Sequence, residues 1–166
     1  AASGTNLRAM INSGGGQIIT VGANGITLTG GAGGTGNNAN IDQNGLTNDQ
    51  LITVNSGGIV SVTGGGGSQT FAEIQNFGKA QSLTFTAGGA LNLHGGSGVS
   101  QNEGGFQNRG AGATTQTITF TGGTMTPVTY TAIANVRSGT DLESGSSPEI
   151  DVTDLTSTAK EFRLGL

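Results

Sequence analysis

The chain has 166 residues, the size of one ordinary domain, with 33 glycines, two prolines, no cysteine and no tryptophan. Charged residues are only 10% of it and the formal net charge is −4, so no basic surface follows a phosphate backbone and nucleic acid is excluded as a partner. No apolar run is long enough for a membrane-spanning helix, no disulfide or thiolate metal site can form, and the lack of a Gly-X-Y period excludes collagen.

The first predicted element is a strand in LRAMIN, residues 7–12, centred on Ile11. It reads as part of an incomplete coil over residues 5–16. Gln17 then opens QIITV, where Ile19 and Val21 share one face and Thr20 the other, the period of two that marks a strand. The glycine-containing corner GANG follows, then a second strand with Ile26 and Leu28 inward and Thr27 outward. A glycine loop leads to a third strand, NANID, centred on Ile41.

This order recurs. Gln50, Gln81 and Gln116 open QLITV, QSLTF and QTITF, at spacings of 33, 31 and 35 residues. Ile52, Leu83 and Ile118 fall in the column of Ile19, and Val54, Phe85 and Phe120 in that of Val21. The second strands place Val60, Leu91 and Met125 with Ile26, and Val62, Leu93 and Pro127 with Leu28. The third strands centre on Ile74, Phe106 and Ile133, and Asn12, Asn44, Asn76, Asn108 and Asn135 recur at or just after their ends. Constant strand cores separated by loops of variable length are the mark of a solenoid.

Three short strands per repeat predict an all-β chain: a parallel β-helix, or β-solenoid, of about four to five coils over residues 1–136, with coils starting near 17, 50, 81 and 116. Aliphatic columns fill the inside. Outside, Thr20, Thr53, Thr84 and Thr119 form a threonine column. The uncharged outer face avoids stacking like charges at every step, and Thr suits strands.

Segments of the form ITV, GITLTGG and NNANI resemble the glycine-rich strand repeats of large bacterial surface proteins, of the filamentous-haemagglutinin-like adhesin and autotransporter passenger type. The resemblance covers residues 5–136. It implies an extracellular or cell-surface location, a right-handed β-helix and an adhesive or structural role without an enzymatic activity. Host or matrix glycans are the partners it suggests besides the chain itself. The chain opens on Ala1-Ala2-Ser3, as a processed product or a fragment does.

After Val136 the composition changes. Residues 137–148 read as a linker, and residues 149–166 as a cap or an exchanged strand, since EIDVTDL alternates Ile150, Val152 and Leu155. Leu7, Met10 and Ile11 at the incomplete first coil, with Ile150, Val152, Leu155 and Phe162 in the tail, are the candidate assembly residues. A neighbouring subunit that supplies a strand to the first coil builds a head-to-tail homopolymer.

No chemical motif competes with this reading. Gly31-x-Gly33-x-x-Gly36 matches a dinucleotide fingerprint but precedes a strand and not a helix. The Gly-Gly-x-Gly loops lack the aspartate of a calcium-binding nonapeptide, carrying Thr35, Gln69 and Ser100 instead; a calcium site among the acidic tail residues is a weaker option. His94 is a lone histidine. Asp42, Glu73 and Glu103 are scattered near the third strands and read as solvated surface carboxylates, with Asp42 and Glu73 on neighbouring coils. No cofactor or metal is expected. The alternative function is a binding module, for glycans or for ice, using an exposed Thr/Asn face; the Thr-x-Thr pairs have the form of an ice-binding array, which Asn92 and His94 interrupt.

Overall fold

The structure, a computed structural model, describes residues 4–97, 102–109, 115–120 and 130–131. Twelve strands run in chain order: β1 (Arg8–Ser13), β2 (Gln17–Val21), β3 (Ile26–Thr29), β4 (Asn38–Gln43), β5 (Gln50–Val54), β6 (Ile59–Thr63), β7 (Ala72–Asn76), β8 (Ala80–Phe85), β9 (Ala90–His94), β10 (Gly104–Asn108), β11 (Thr115–Phe120) and β12 (Tyr130–Thr131). They form three four-stranded sheets, β1-β4-β7-β10, β2-β5-β8-β11 and β3-β6-β9-β12. Every strand pairing is parallel. Each sheet therefore takes one strand per turn, and the chain is a β-solenoid.

Counted from the glutamine strands, β2–β4, β5–β7 and β8–β10 make three complete turns among the described residues, with β1 before them and β11 and β12 after, against the four to five coils expected. Of residues 7–12, all but Leu7 lie in β1, which shares its sheet with the third strands β4, β7 and β10. Ile133, the linker and residues 149–166 lie outside the described residues.

The aliphatic columns are in register as read. Ile19, Ile52, Leu83 and Ile118 align, as do Ile11, Ile41, Ile74 and Phe106. Ile41, Ile74, Phe106, Ile52, Leu83 and Ile118 join one core cluster with Val54, Val60, Val62, Phe85, Leu91 and Leu93, and Ile19 packs against it. Strands form because β-branched and aromatic side chains pack well on a pleated, half-buried surface. They stop at glycine corners. Gly25 is in the left-handed region at φ 64°, and a Cβ there would lie 1.8 Å from the Ile59 carbonyl oxygen on the next coil. The loop corners stack as closely: a Cβ on Gly65 would meet the Gly31 oxygen at 2.1 Å, and one on Gly96 the Gly65 oxygen at 2.0 Å.

One column assignment is corrected. Tyr130, not Pro127, pairs with Leu93, and Thr131 pairs with His94. Proline has no N–H to give a parallel ladder, which favours a later start for the strand; Met125 and Pro127 themselves lie outside the described residues. The recurring asparagines occupy more than one register position. Asn76 and Asn108 align with Ser13 and Gln43, whereas Asn12 aligns with Asp42, Gln75 and Gln107. The loop lengths differ between repeats, so equal spacing in sequence is not equal register.

The repeat-marking glutamines point inward. Gln17, Gln50 and Gln81 are buried on the same face of their strands as Ile19, Ile52 and Leu83. Gln50 Nε2 donates to Gln17 Oε1 at 2.7 Å, and Gln81 Nε2 donates to Gln50 Oε1 at 2.7 Å. The second amide hydrogen of each reaches the first sheet: Gln50 to the Gln75 carbonyl at 3.1 Å and Gln81 to the Ile74 carbonyl at 3.2 Å. A buried amide without partners is costly, and this ladder supplies them from one coil to the next.

Candidate functional site

Two features stand apart from the repeating wall: the exposed first coil and a buried acidic cluster. In the first coil, β1, β2 and β3 are each the terminal strand of their sheet. Asn38 donates to the Leu7 carbonyl at 2.9 Å and Asn44 to the Ser13 carbonyl at 2.7 Å. Odd-numbered carbonyls of β1 thus face β4, and by the alternation of a parallel ladder the N–H and C=O groups of Arg8, Met10 and Asn12 face the open side. Ile11 lies in the inward column yet is 58% exposed, against 2% for Ile41 and 0% for Ile74 one and two coils on. Leu7 and Met10 are exposed too.

Leu7, Met10 and Ile11 lie along or just before β1. Met10, however, falls in the outward column with Asn40 and Glu73, on the opposite face from Ile11. Beside them a cleft of about 230 Å³ opens, lined by Leu7, Ala9 and Ala39 together with Arg8, Thr29 and Asn37. Asn37 shapes its wall: it accepts the Leu7 N–H at 2.9 Å and donates to the carbonyls of Gly4 and Gly33, each at 2.7 Å. The segment containing Gly31, Gly33 and Gly36 is this corner loop, bridged through Thr35 to Thr5 and Ser68. At the other end Phe106 and Ile118 are buried. Ile150, Val152, Leu155 and Phe162 lie outside the described residues.

The outward threonines Thr20, Thr53, Thr84 and Thr119 are in register. Their neighbours on the same face, Ile18 and Leu51, are paired across one coil and exposed, Ile18 at 78%. That face is threonine and aliphatic together. His94 continues the column of Thr29 and Thr63.

The three carboxylates read as surface groups are buried, which corrects that reading. Asp42, Glu73 and Glu103 retain 7%, 4% and 6% exposure. Glu73 aligns with Asn40 and Gly105, and Asp42 with Gln75 and Gln107, all on the side of the first sheet opposite Ile74. Arg109, just beyond β10, places Nη2 3.8 Å from Glu73 and 3.7 Å from Glu103. Gln75 donates to Glu73 Oε2 at 2.6 Å and to Gln107 Oε1 at 3.2 Å.

Burial pushes the Glu73 carboxyl up to about 8, reinforced by its hydrogen bond to Glu103 and by the Glu103 charge; Arg109 opposes this without winning. Burial likewise raises Asp42, opposed by its hydrogen bond from Asn40 and by Arg8 and Arg109. Near neutrality Glu73 therefore holds a proton between two carboxyl groups and one guanidinium. Proton exchange is the chemistry open to such a group. No cluster of three acidic, histidine or cysteine ligands suited to a metal occurs among the described residues.

Sequence reading missed Arg109 and the inward glutamines. Arg109 and Lys79 are the only cations between residues 9 and 136, and that scarcity was the available signal. For the glutamines it was their parity with Ile19, Ile52 and Leu83. No helix among the described residues is long and apolar enough to cross a membrane. No protein-family model, curated protein or solved structure matches the chain.

Proposed function

We propose that the chain is a structural module of an extracellular or cell-surface fibre or adhesin, which lengthens when a neighbouring subunit adds β-structure to the open first coil. The observation that carries this reading is the exposure of Ile11, a core-column residue on the strand that ends its sheet among the described residues. Such an edge is a template for strand addition, and a contact between unlike surfaces grows without closing. The role is mechanical: the backbone ladders and the Gln17–Gln50–Gln81 ladder run along one axis, so separating two coils breaks three sheets at once.

Sedimentation velocity and electron microscopy of the 166-residue chain test it. Filaments are expected from the unaltered chain, and Ile11→Lys is expected to stay monomeric with an unchanged β circular-dichroism spectrum. A unaltered chain that remains a monodisperse monomer at high concentration overturns the reading.

A further inference from the structure

We infer that Asn24, in the corner between β2 and β3, is a site of spontaneous deamidation through a succinimide, and that the fold withholds the same reaction from Asn44. These are the two asparagines of the chain that precede a glycine. Asparagine is among the thermolabile residues. Ring closure needs its side chain free to turn and the next backbone nitrogen within reach, and glycine, with no Cβ, leaves that approach clear. In sequence the two pairs are alike; the structure separates them.

Asn24 has the freedom the reaction needs. Gly22, Ala23 and Asn24 are exposed in succession, and the Asn24 side chain bonds to none of the described residues. The corner itself is closed by the Gly25 N–H, which donates to the Gly22 carbonyl at 3.0 Å. That bond lies within one turn, so it opens without parting any sheet, and local openings of this kind cost a fold least. The exposure belongs to the corner and not to the place of this coil in the sequence. Ser56 and Gly57 in the next coil's corner, and Thr86 and Ala87 in the one after, are exposed too, although their strands β5 and β8 are paired on both sides.

Asn44 lacks that freedom. Its Nδ2 donates to Asn12 Oδ1 on the neighbouring strand at 2.7 Å, and its backbone N–H donates to the Ser13 carbonyl at 2.7 Å. Gly45 is buried, and its carbonyl accepts from the Asn48 N–H at 3.1 Å and from Gln43 Nε2 at 2.9 Å. Bringing the Asn44 Cγ onto the Gly45 nitrogen breaks the first of these bonds and displaces a glycine tied by the others.

At Asn24 the Gly25 nitrogen forms a bond to Cγ, the Cγ–Nδ2 bond breaks, and the Gly25 amide proton leaves with Nδ2 as ammonia. Water then opens the cyclic imide. Opening at Cγ gives aspartate; opening at the main-chain carbonyl gives isoaspartate. Nothing is oxidised or reduced. The isoaspartyl product inserts the Asn24 Cβ into the main chain of a corner without slack, since a Cβ on Gly25 would already lie 1.8 Å from the Ile59 carbonyl oxygen.

The test incubates the folded chain in warm neutral buffer and follows both sites by peptide mapping with mass spectrometry and by enzymatic methylation of isoaspartate. Conversion at Asn24 is expected to be at least about tenfold faster than at Asn44. In the urea-unfolded chain the two rates are expected to agree within about threefold, since the fold no longer separates them. Asn12→Ala, which releases the Asn44 amide, is expected to raise conversion at Asn44 in the folded chain and leave Asn24 unchanged. Circular dichroism checks that the variant keeps its β spectrum.

Equal rates in the folded chain, or a faster Asn44, overturn the inference. So does a folded chain that converts at neither site while the unfolded chain converts at both. A ratio unchanged by unfolding overturns the part given to the fold, and an Asn44 rate unmoved by Asn12→Ala overturns the assignment of its protection to that bond.

Discussion

The side chain of Gln50 donates to Gln17 across one coil and accepts from Gln81 across the next, both at 2.7 Å, inside the solenoid. Its other amide hydrogen reaches the Gln75 carbonyl on a different sheet. Gln50 therefore ties three successive coils and two sheets together.

Gln50→Ala should be among the more damaging substitutions in the wall. It leaves the Gln17 carbonyl and one Gln81 amide hydrogen buried without their partner, at about 1–3 kcal/mol for each group, and adds a cavity. Urea denaturation should show a loss of at least about 3 kcal/mol, whereas Thr53→Ala on the outer face should cost under about 1 kcal/mol. Similar midpoints for the two variants would remove the ladder from the account of stability.

Glu73 makes stability depend on pH in a defined direction. Its folded carboxyl, at about 8, lies above the ordinary 4.5, so between those values the folded chain binds the extra proton. This group's contribution is complete below about pH 4.5 and is lost as pH rises through about 8, by on the order of a few kcal/mol. Asp42 acts in the same direction, since burial raises it too. Urea midpoints between pH 5 and 9 should fall with pH, and Glu73→Gln, which mimics the protonated form, should flatten much of the fall. A midpoint that rises over that range contradicts a protonated Glu73.

Glycine placement separates two kinds of corner. Gly25→Ala forces a Cβ against the Ile59 carbonyl at 1.8 Å in a left-handed residue. It should destabilise by at least about 2 kcal/mol, combining steric overlap with the cost of positive φ. Gly14→Ala, with nothing within 4 Å of its Cβ, should stay within about 0.5 kcal/mol of the unaltered chain. Thermal denaturation of the two variants side by side decides whether the corners are as tightly stacked as the strands.

Much of the solenoid was legible because its signal is local and repeated. Ile19, Ile52, Leu83 and Ile118 share a parity within their strands and a place after a glutamine, and the observed register keeps them in one column. The exposure of the first described strand was legible in part, since Leu7, Met10 and Ile11 lie ahead of the first glutamine-marked repeat in the given sequence. The error at Pro127 came from extending a spacing across a loop whose length had changed.

By itself, the sequence determined that strands of period two recur and that their aliphatic faces must be shared, because a single coil has too little apolar surface to bury alone. Only the tertiary structure decided which polar groups go inside. Gln17, Gln50 and Gln81 are tolerated there because each is matched by the coil above or below. Asp42, Glu73 and Glu103 come together with Arg109 through register between turns some thirty residues apart. Burial of a polar side chain depends on whether a partner arrives from another turn, and that is a property of the stacked chain, not of any one repeat.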